Sequence, residues 1–130
     1  MASIFTKIIH GEIPCHKILE DEKYFAFLEL RPLKTGHTLV VPKQETDYIF
    51  DLDDATMSGL MKFSQKVAAA LKKAVPCRKI AVIVYGLEVA HAHVHLVPVD
   101  GTSGELNFTN PRETTADALA ETAAKIREKL

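Results

Sequence analysis

Apolar positions along the chain recur with two periods. Between residues 54 and 75, Leu60, Phe63, Val67, Ala70, Leu71 and Ala74 stand three or four apart, the spacing that lays one apolar stripe along a helix. Asp53 or Asp54 opens this helix and Pro76 marks its end. Ala116, Leu119, Ala120, Ala123 and Ile126 repeat the pattern and predict a C-terminal helix over about 114–130. Near the other end, Ser3 can cap a short helix carrying Ile4, Phe5, Ile8 and Ile9, stopped by Gly11 and Pro14. The remaining apolar blocks are short and extended: 15–20, 23–30, His37 to Val41 before Pro42, 79–85, and His93 to Val99. Strands follow one another with few intervening helices. That order predicts an α+β fold, a five-stranded antiparallel sheet with flanking helices.

The last strand is the unusual one. His91-Ala92-His93-Val94-His95-Leu96-Val97-Pro98 alternates histidine with apolar residues before turning fully apolar. Successive strand side chains point to opposite faces, so Ala92, Val94 and Leu96 pack one way and three imidazoles line the other. A solvent-facing strand that happens to be rich in histidine would show the same spacing.

At 130 residues, one domain over 1–130 is expected, with a composition of 47% hydrophobic and 25% charged residues. The formal net charge of -1, and basic runs no longer than pairs such as Lys72-Lys73, argue against a nucleic-acid partner. No apolar stretch approaches the ~20 residues of a membrane span, and residues 1–20 do not resemble a signal peptide. Cys15 and Cys77 fit free thiols in a reducing compartment. A cytoplasmic protein with no membrane partner is expected.

Imidazoles at every second position serve two chemistries. As metal ligands they converge poorly, because His91 and His95 lie roughly 13 Å apart along an extended strand, whereas zinc ligands stand within ~3.4 Å of one another. As catalytic groups they suit a phosphate: one imidazole attacks phosphorus, a neighbour or a carbonyl fixes its tautomer, and another donates to the non-bridging oxygens.

The pattern at 91–97 resembles the signature of the histidine-triad (HIT) superfamily of nucleotide hydrolases and transferases. Ile4-Phe5-Thr6-Lys7-Ile8-Ile9, Gly11-Glu12-Ile13-Pro14, Phe27-Leu28-Glu29-Leu30-Arg31-Pro32 and Gly36-His37-Thr38-Leu39-Val40-Val41-Pro42-Lys43 are similar to that family's first helix and first three strands. The resemblance implies that His93 is the nucleophile, forming a nucleotidyl-histidine intermediate at the α-phosphorus. It implies that His95 lies near the phosphate, that His91 supports the orientation of the others, and that His37 comes close to the triad. Phe5, Ile8, Phe27 and Leu30 match the positions that sandwich the base; on periodicity alone they are core residues. Glu29 stands where the family usually has a ribose-binding aspartate. His10 and His16 match nothing and read as surface residues.

The segment before the triad departs from the family. The loop is short, with Leu87 at a usual glutamine position and Glu88 at a usual serine or threonine position. Glu88 can accept from an imidazole or donate a proton to a leaving amine, and it would repel a phosphate unless protonated or paired. Some relatives hold zinc at the positions of Ser3, Thr6 and Glu45, none of which is a soft ligand here. No metal and no cofactor are expected.

The function implied is hydrolysis of a nucleoside phosphoramidate or related purine nucleotide through His93, in a homodimer whose sheets join. The alternatives are a nucleoside-monophosphate-binding or signalling module with little turnover, a dinucleoside polyphosphate hydrolase, or a nucleotidyl transferase. The apolar strand at 79–85, which must be covered on both faces, supports a dimer interface.

Overall fold

A computed structural model describes residues 2–130. Helix α1 (Ile4–Ile9) begins where the Ser3 hydroxyl accepts from Thr6 N–H at 3.0 Å, occupying one of the first-turn donors that lack helical partners. Strands β1 (Lys17–Glu20) and β2 (Tyr24–Leu28) form a hairpin. Its turn is held by Asp21, whose carboxylate accepts from the N–H groups of Lys23 and Tyr24, both at 2.8 Å. Strand β3 (Thr38–Pro42) pairs antiparallel with β2. Gly36 in the connection has φ +91°, and a Cβ there would lie 2.8 Å from Leu71 Cδ1. The turn therefore needs glycine for both backbone conformation and space.

After a 3-10 turn (Ile49–Asp51), helix α2 (Asp54–Ala74) runs across the sheet. Its cap is Asp53, which accepts from Thr56 N–H at 2.7 Å. Strands β4 (Lys79–Ile83) and β5 (Val94–Val99) and helix α3 (Ala116–Glu128) complete the chain. The sheet has five strands in the order β1-β2-β3-β5-β4, all antiparallel neighbours. This is the α+β architecture predicted from the patterning. Among the described residues no helix is long and apolar enough to cross a membrane.

The sheet separates two apolar cores. Ala26, Leu28, Val40, Ala92, Val94 and Leu96 join Leu60, Phe63, Val67 and Leu71 of α2 and Leu119, Ala123 and Ile126 of α3. On the opposite face, Phe25, Phe27, Leu39 and Val41 pack with Phe5 of α1. The histidine strand thus divides as its alternation requires, with Ala92, Val94 and Leu96 toward α2 and the imidazoles on the α1 side.

Several boundaries differ from the sequence expectation. Strand β2 ends at Leu28, so Glu29 and Leu30 lie beyond it, and His37 precedes β3. Strand β5 starts at Val94, leaving His91 and His93 outside regular pairing. The reason is local: His91 N–H turns back to the Val89 carbonyl at 2.8 Å and Ala92 N–H reaches the Thr46 carbonyl at 2.7 Å, which removes these donors from the ladder with β3. Strand β4 stops at Ile83, and the chain leaves the sheet toward Gly86, at φ +86°. The expectation that residues 79–85 are covered on both faces is not met within one chain, since β4 is an edge strand with Val82 and Tyr85 more than half exposed.

Candidate active site

Four imidazoles, those of His37, His91, His93 and His95, are at most 2% exposed. Buried polar groups must find partners, and the partners found here dictate which ring nitrogens carry protons. The His91 carbonyl accepts from His93 Nδ1 at 2.7 Å. A carbonyl cannot donate, so the proton of neutral His93 sits on Nδ1 and its lone pair on Nε2. Burial lowers the His93 pKa, the neighbouring His91 imidazole adding to the effect and the His91 carbonyl and Glu88 opposing it. The neutral form is therefore the one present near pH 7.

A second relay sets His95. The backbone N–H of Leu33 donates to His37 Nδ1 at 3.0 Å, and His37 Nε2 lies 2.9 Å from His95 Nδ1. Since His37 Nδ1 is already accepting, its Nε2 donates to His95 Nδ1, and the remaining proton of His95 lies on Nε2. That Nε2 has no protein partner. Burial brings the pKa of His37 down to about 4 and that of His95 to about 3, the imidazoles nearby adding to the effect. The His93 and His95 rings meet edge to face, centroids 4.9 Å apart. The pair thus presents a lone pair on one ring beside an unpartnered N–H on the next.

His91 acts in this arrangement through its carbonyl. Its own ring turns to the protein, with Nε2 donating to the Pro42 carbonyl at 2.7 Å and Nδ1 accepting from the Ser3 hydroxyl at 2.7 Å. Glu45 completes the cluster, accepting from Ser3 N–H at 2.6 Å and from the Thr6 hydroxyl at 2.7 Å. These bonds hold its carboxyl down at about 2. Ser3, Thr6, Glu45 and His91 are therefore brought together as a hydrogen-bonded clamp between α1 and the sheet.

Two clefts with walls in common open beside the imidazoles. The apolar one, about 220 Å³, is lined by Phe5, Ile8, Phe27, Leu30 and His93 among others. The polar one, about 280 Å³, is bordered by Arg31, His37, His95, Phe108 and Thr109. Glu29 and Glu88 line both. Burial, reinforced by the charge of Glu88, raises the Glu29 pKa. Leu30, though mostly exposed, still contributes to the apolar wall. His10 lies away from both clefts on an exposed surface.

Glu88 does not hydrogen-bond an imidazole, because its Oε1 stands 3.7 Å from His95 Nε2, beyond hydrogen-bond range. Ligand atoms of Glu88, His93 and His95 lie within 4.8 Å of one another. A cation bound by all three would need the His95 Nε2 lone pair. The opposite His95 tautomer, and with it a reversed proton order at His37, would be required.

Phe108 gave no sequence signal, since it lies in an irregular loop without periodicity. Its ring packs edge to face on His95, centroids 5.0 Å apart, and stacks with Tyr85. The C-terminal helix does not reach the site; the loop before it does. In the sequence Ser3 reads as a helix cap, and Ser3, Thr6 and Glu45 as residues unsuited to zinc; the bonding of Ser3 to His91 depends on bringing α1 to the sheet.

A five-stranded antiparallel sheet with a buried row of imidazoles on one face defines a histidine-triad fold. The HIT domain model matches residues 10–102, and the chain belongs to the HIT family. It is 36% identical over 102 residues to an uncharacterized HIT-like protein of Borreliella burgdorferi, covering 73% of each chain. It is 33% identical over 135 residues to an adenosine 5′-monophosphoramidase of Saccharomyces cerevisiae, covering 99% of this chain and 83% of that one. Among solved structures, a Hit-like protein involved in cell-cycle regulation from Bartonella henselae superposes with a TM-score of 0.86 at 34% identity, over 98% and 96% of the two chains.

Proposed function

We propose that this protein hydrolyses a nucleoside 5′-phosphoramidate, its purine base in the apolar cleft between Phe5, Ile8, Phe27 and Leu30 and its phosphate in the polar one. The observation that carries the reading is the tautomer pair: the His93 Nε2 lone pair beside the unpartnered His95 Nε2–H. His93 Nε2 forms a bond to the α-phosphorus as the P–N bond breaks. The leaving nitrogen keeps the electron pair, takes a proton from solvent and departs as an amine. His95 Nε2–H donates to a non-bridging oxygen, where negative charge accumulates. Water then attacks phosphorus, the bond to His93 breaks, and the attacking water returns a proton to solvent. Glu29, at the junction of the clefts, accepts from the ribose hydroxyls. Similarity to the yeast adenosine 5′-monophosphoramidase supports the substrate class.

The test is hydrolysis of an adenosine 5′-phosphoramidate by wild type and His93→Ala, each with and without chelator. Chelator-resistant turnover, lost in the variant, and a nucleotidyl adduct on His93 are expected. Equal rates in the two proteins refute the nucleophile assignment. AMP binding without turnover by wild type would leave a binding module instead.

We also propose a homodimer joined at the free edge of β4. The open backbone edge and the exposed Met61, Val82, Val84 and Tyr85 support it, because unpaired apolar edges favour association. Val82→Lys is expected to yield monomers by light scattering; a wild-type monomer refutes the proposal. Both thiols are free, which suits a reducing, cytoplasmic compartment.

A further inference from the structure

The two halves of the cleft meet at a pair of carboxylates, an unusual border for a phosphate. Glu88 carries an oxygen within 4.8 Å of a ring nitrogen of both His93 and His95. A phosphorus attacked by His93 and held by His95 therefore has this carboxylate as a near neighbour. Compensating charge is sparse. Arg31 is the one lysine or arginine among the described residues lining the polar cleft, which Glu29 and Glu88 also line. His37 and His95 are neutral near pH 7. With one cation and two carboxylates, the formal charge of the polar half is negative before any phosphate enters.

We propose that Glu88 is a leaving-group specificity residue: its carboxylate repels anionic leaving groups and attracts amines that carry a further ammonium group. This rests on the hydrolase reading and adds the charge class of the departing amine. One phosphoryl group, bearing a single negative charge in a nucleoside phosphoramidate, is tolerated through Arg31 and the His95 N–H. A polyphosphate leaving group adds several more charges beside Glu88, without a further cation to receive them. Selection of this kind works by placing a repulsive element against the wrong partner as well as an attractive one for the right partner. Glu88 is about half exposed, at 53%, so solvent screens its field and the discrimination is moderate.

The experiment compares kcat/KM for three adenosine 5′-phosphoramidates of similar size, whose amines carry an ammonium, a methoxy or a carboxylate group two carbons from nitrogen. Wild type, Glu88→Gln and Glu88→Lys are assayed at low and high salt. The wild-type preference for the cationic over the anionic amine is expected to be about 10- to 100-fold at low salt and to shrink at high salt. Glu88→Gln should reduce that ratio roughly tenfold and Glu88→Lys should invert it. A ratio that stays at the wild-type value in both variants overturns the Glu88 assignment while leaving the hydrolase reading intact. Failure of wild type to hydrolyse any of the three overturns the hydrolase reading, and this inference with it. Because Glu88 is in an exposed loop, both variants are expected to keep the wild-type unfolding midpoint, so a changed ratio reports charge.

Discussion

Replacing His37 with Phe tests the proton relay that orients the site. The substitution keeps a planar ring at a position 2% exposed but removes both ring nitrogens. Leu33 N–H loses its 3.0 Å acceptor and His95 Nδ1 loses its 2.9 Å donor. Each buried group left without a partner costs about 1–3 kcal/mol, so with two such groups the variant should be destabilised by about 2–6 kcal/mol in urea unfolding. A simple loss of apolar contact would give far less, since the ring is retained. The same change frees His95 to adopt either tautomer, and hydrolysis of the phosphoramidate should fall roughly 10- to 100-fold as the oriented donor is lost. Proton–nitrogen correlation spectra of the imidazoles read the cause directly. In wild type at pH 7, His95 should be neutral with its proton on Nε2, and in His37→Phe that signature should weaken or reverse. A wild-type His95 protonated on Nδ1, or a stability loss below about 0.5 kcal/mol, would refute the relay.

The same pair predicts how stability varies with pH. His37 and His95 fall to about 4 and about 3 in the folded protein, whereas an unfolded histidine titrates near 6.5. Between those values the unfolded chain binds more protons, so stability is complete above pH 6.5 and is lost as pH falls toward 4. Two imidazoles that are neutral when folded and take up protons on unfolding give a slope that approaches about 2.7 kcal/mol per pH unit between pH 6.5 and 4; urea titrations at pH 5, 6 and 7 should show it, and a His37→Phe/His95→Phe variant with an equal slope would refute it. Ser3→Ala removes the α1 cap and the donor to His91 Nδ1, and should cost about 2 kcal/mol; a loss under about 0.5 kcal/mol would show that the clamp contributes little. Gly59→Ala places a Cβ 2.0 Å from Tyr24 Oη, so overpacking of about 1–3 kcal/mol should exceed the gain in helix propensity. Adding Tyr24→Phe should recover part of the loss in thermal unfolding, and no recovery would place the clash on the ring instead of the hydroxyl.

The periodicities that define α2 and α3, the alternation that sends Val94 and Leu96 to one core and the imidazoles to the other face, and the α+β class are local properties. Side-chain direction in a helix or strand repeats along the chain, so sequence alone determined them. The ends of the strands were less legible. Where His91 and His93 leave the ladder depends on the carbonyls of Val89 and Thr46, the latter 46 residues away from Ala92 in sequence. The resemblance at 91–97 named the imidazoles, but it did not say what each nitrogen would do.

Those assignments came from groups that only folding brings together. Leu33 N–H reaches His37, His37 reaches His95 across 58 positions, and Ser3 reaches His91 across 88. Phe108 meets His95 because the irregular segment before α3 folds back over β5. The strand order β1-β2-β3-β5-β4, with β5 inserted between β3 and β4, is likewise invisible to periodicity. A sequence specifies which face each side chain takes, because that follows from neighbouring residues. Which proton sits on which nitrogen, and which strand is left with an open edge, were decided by the tertiary structure, because both depend on long-range partners.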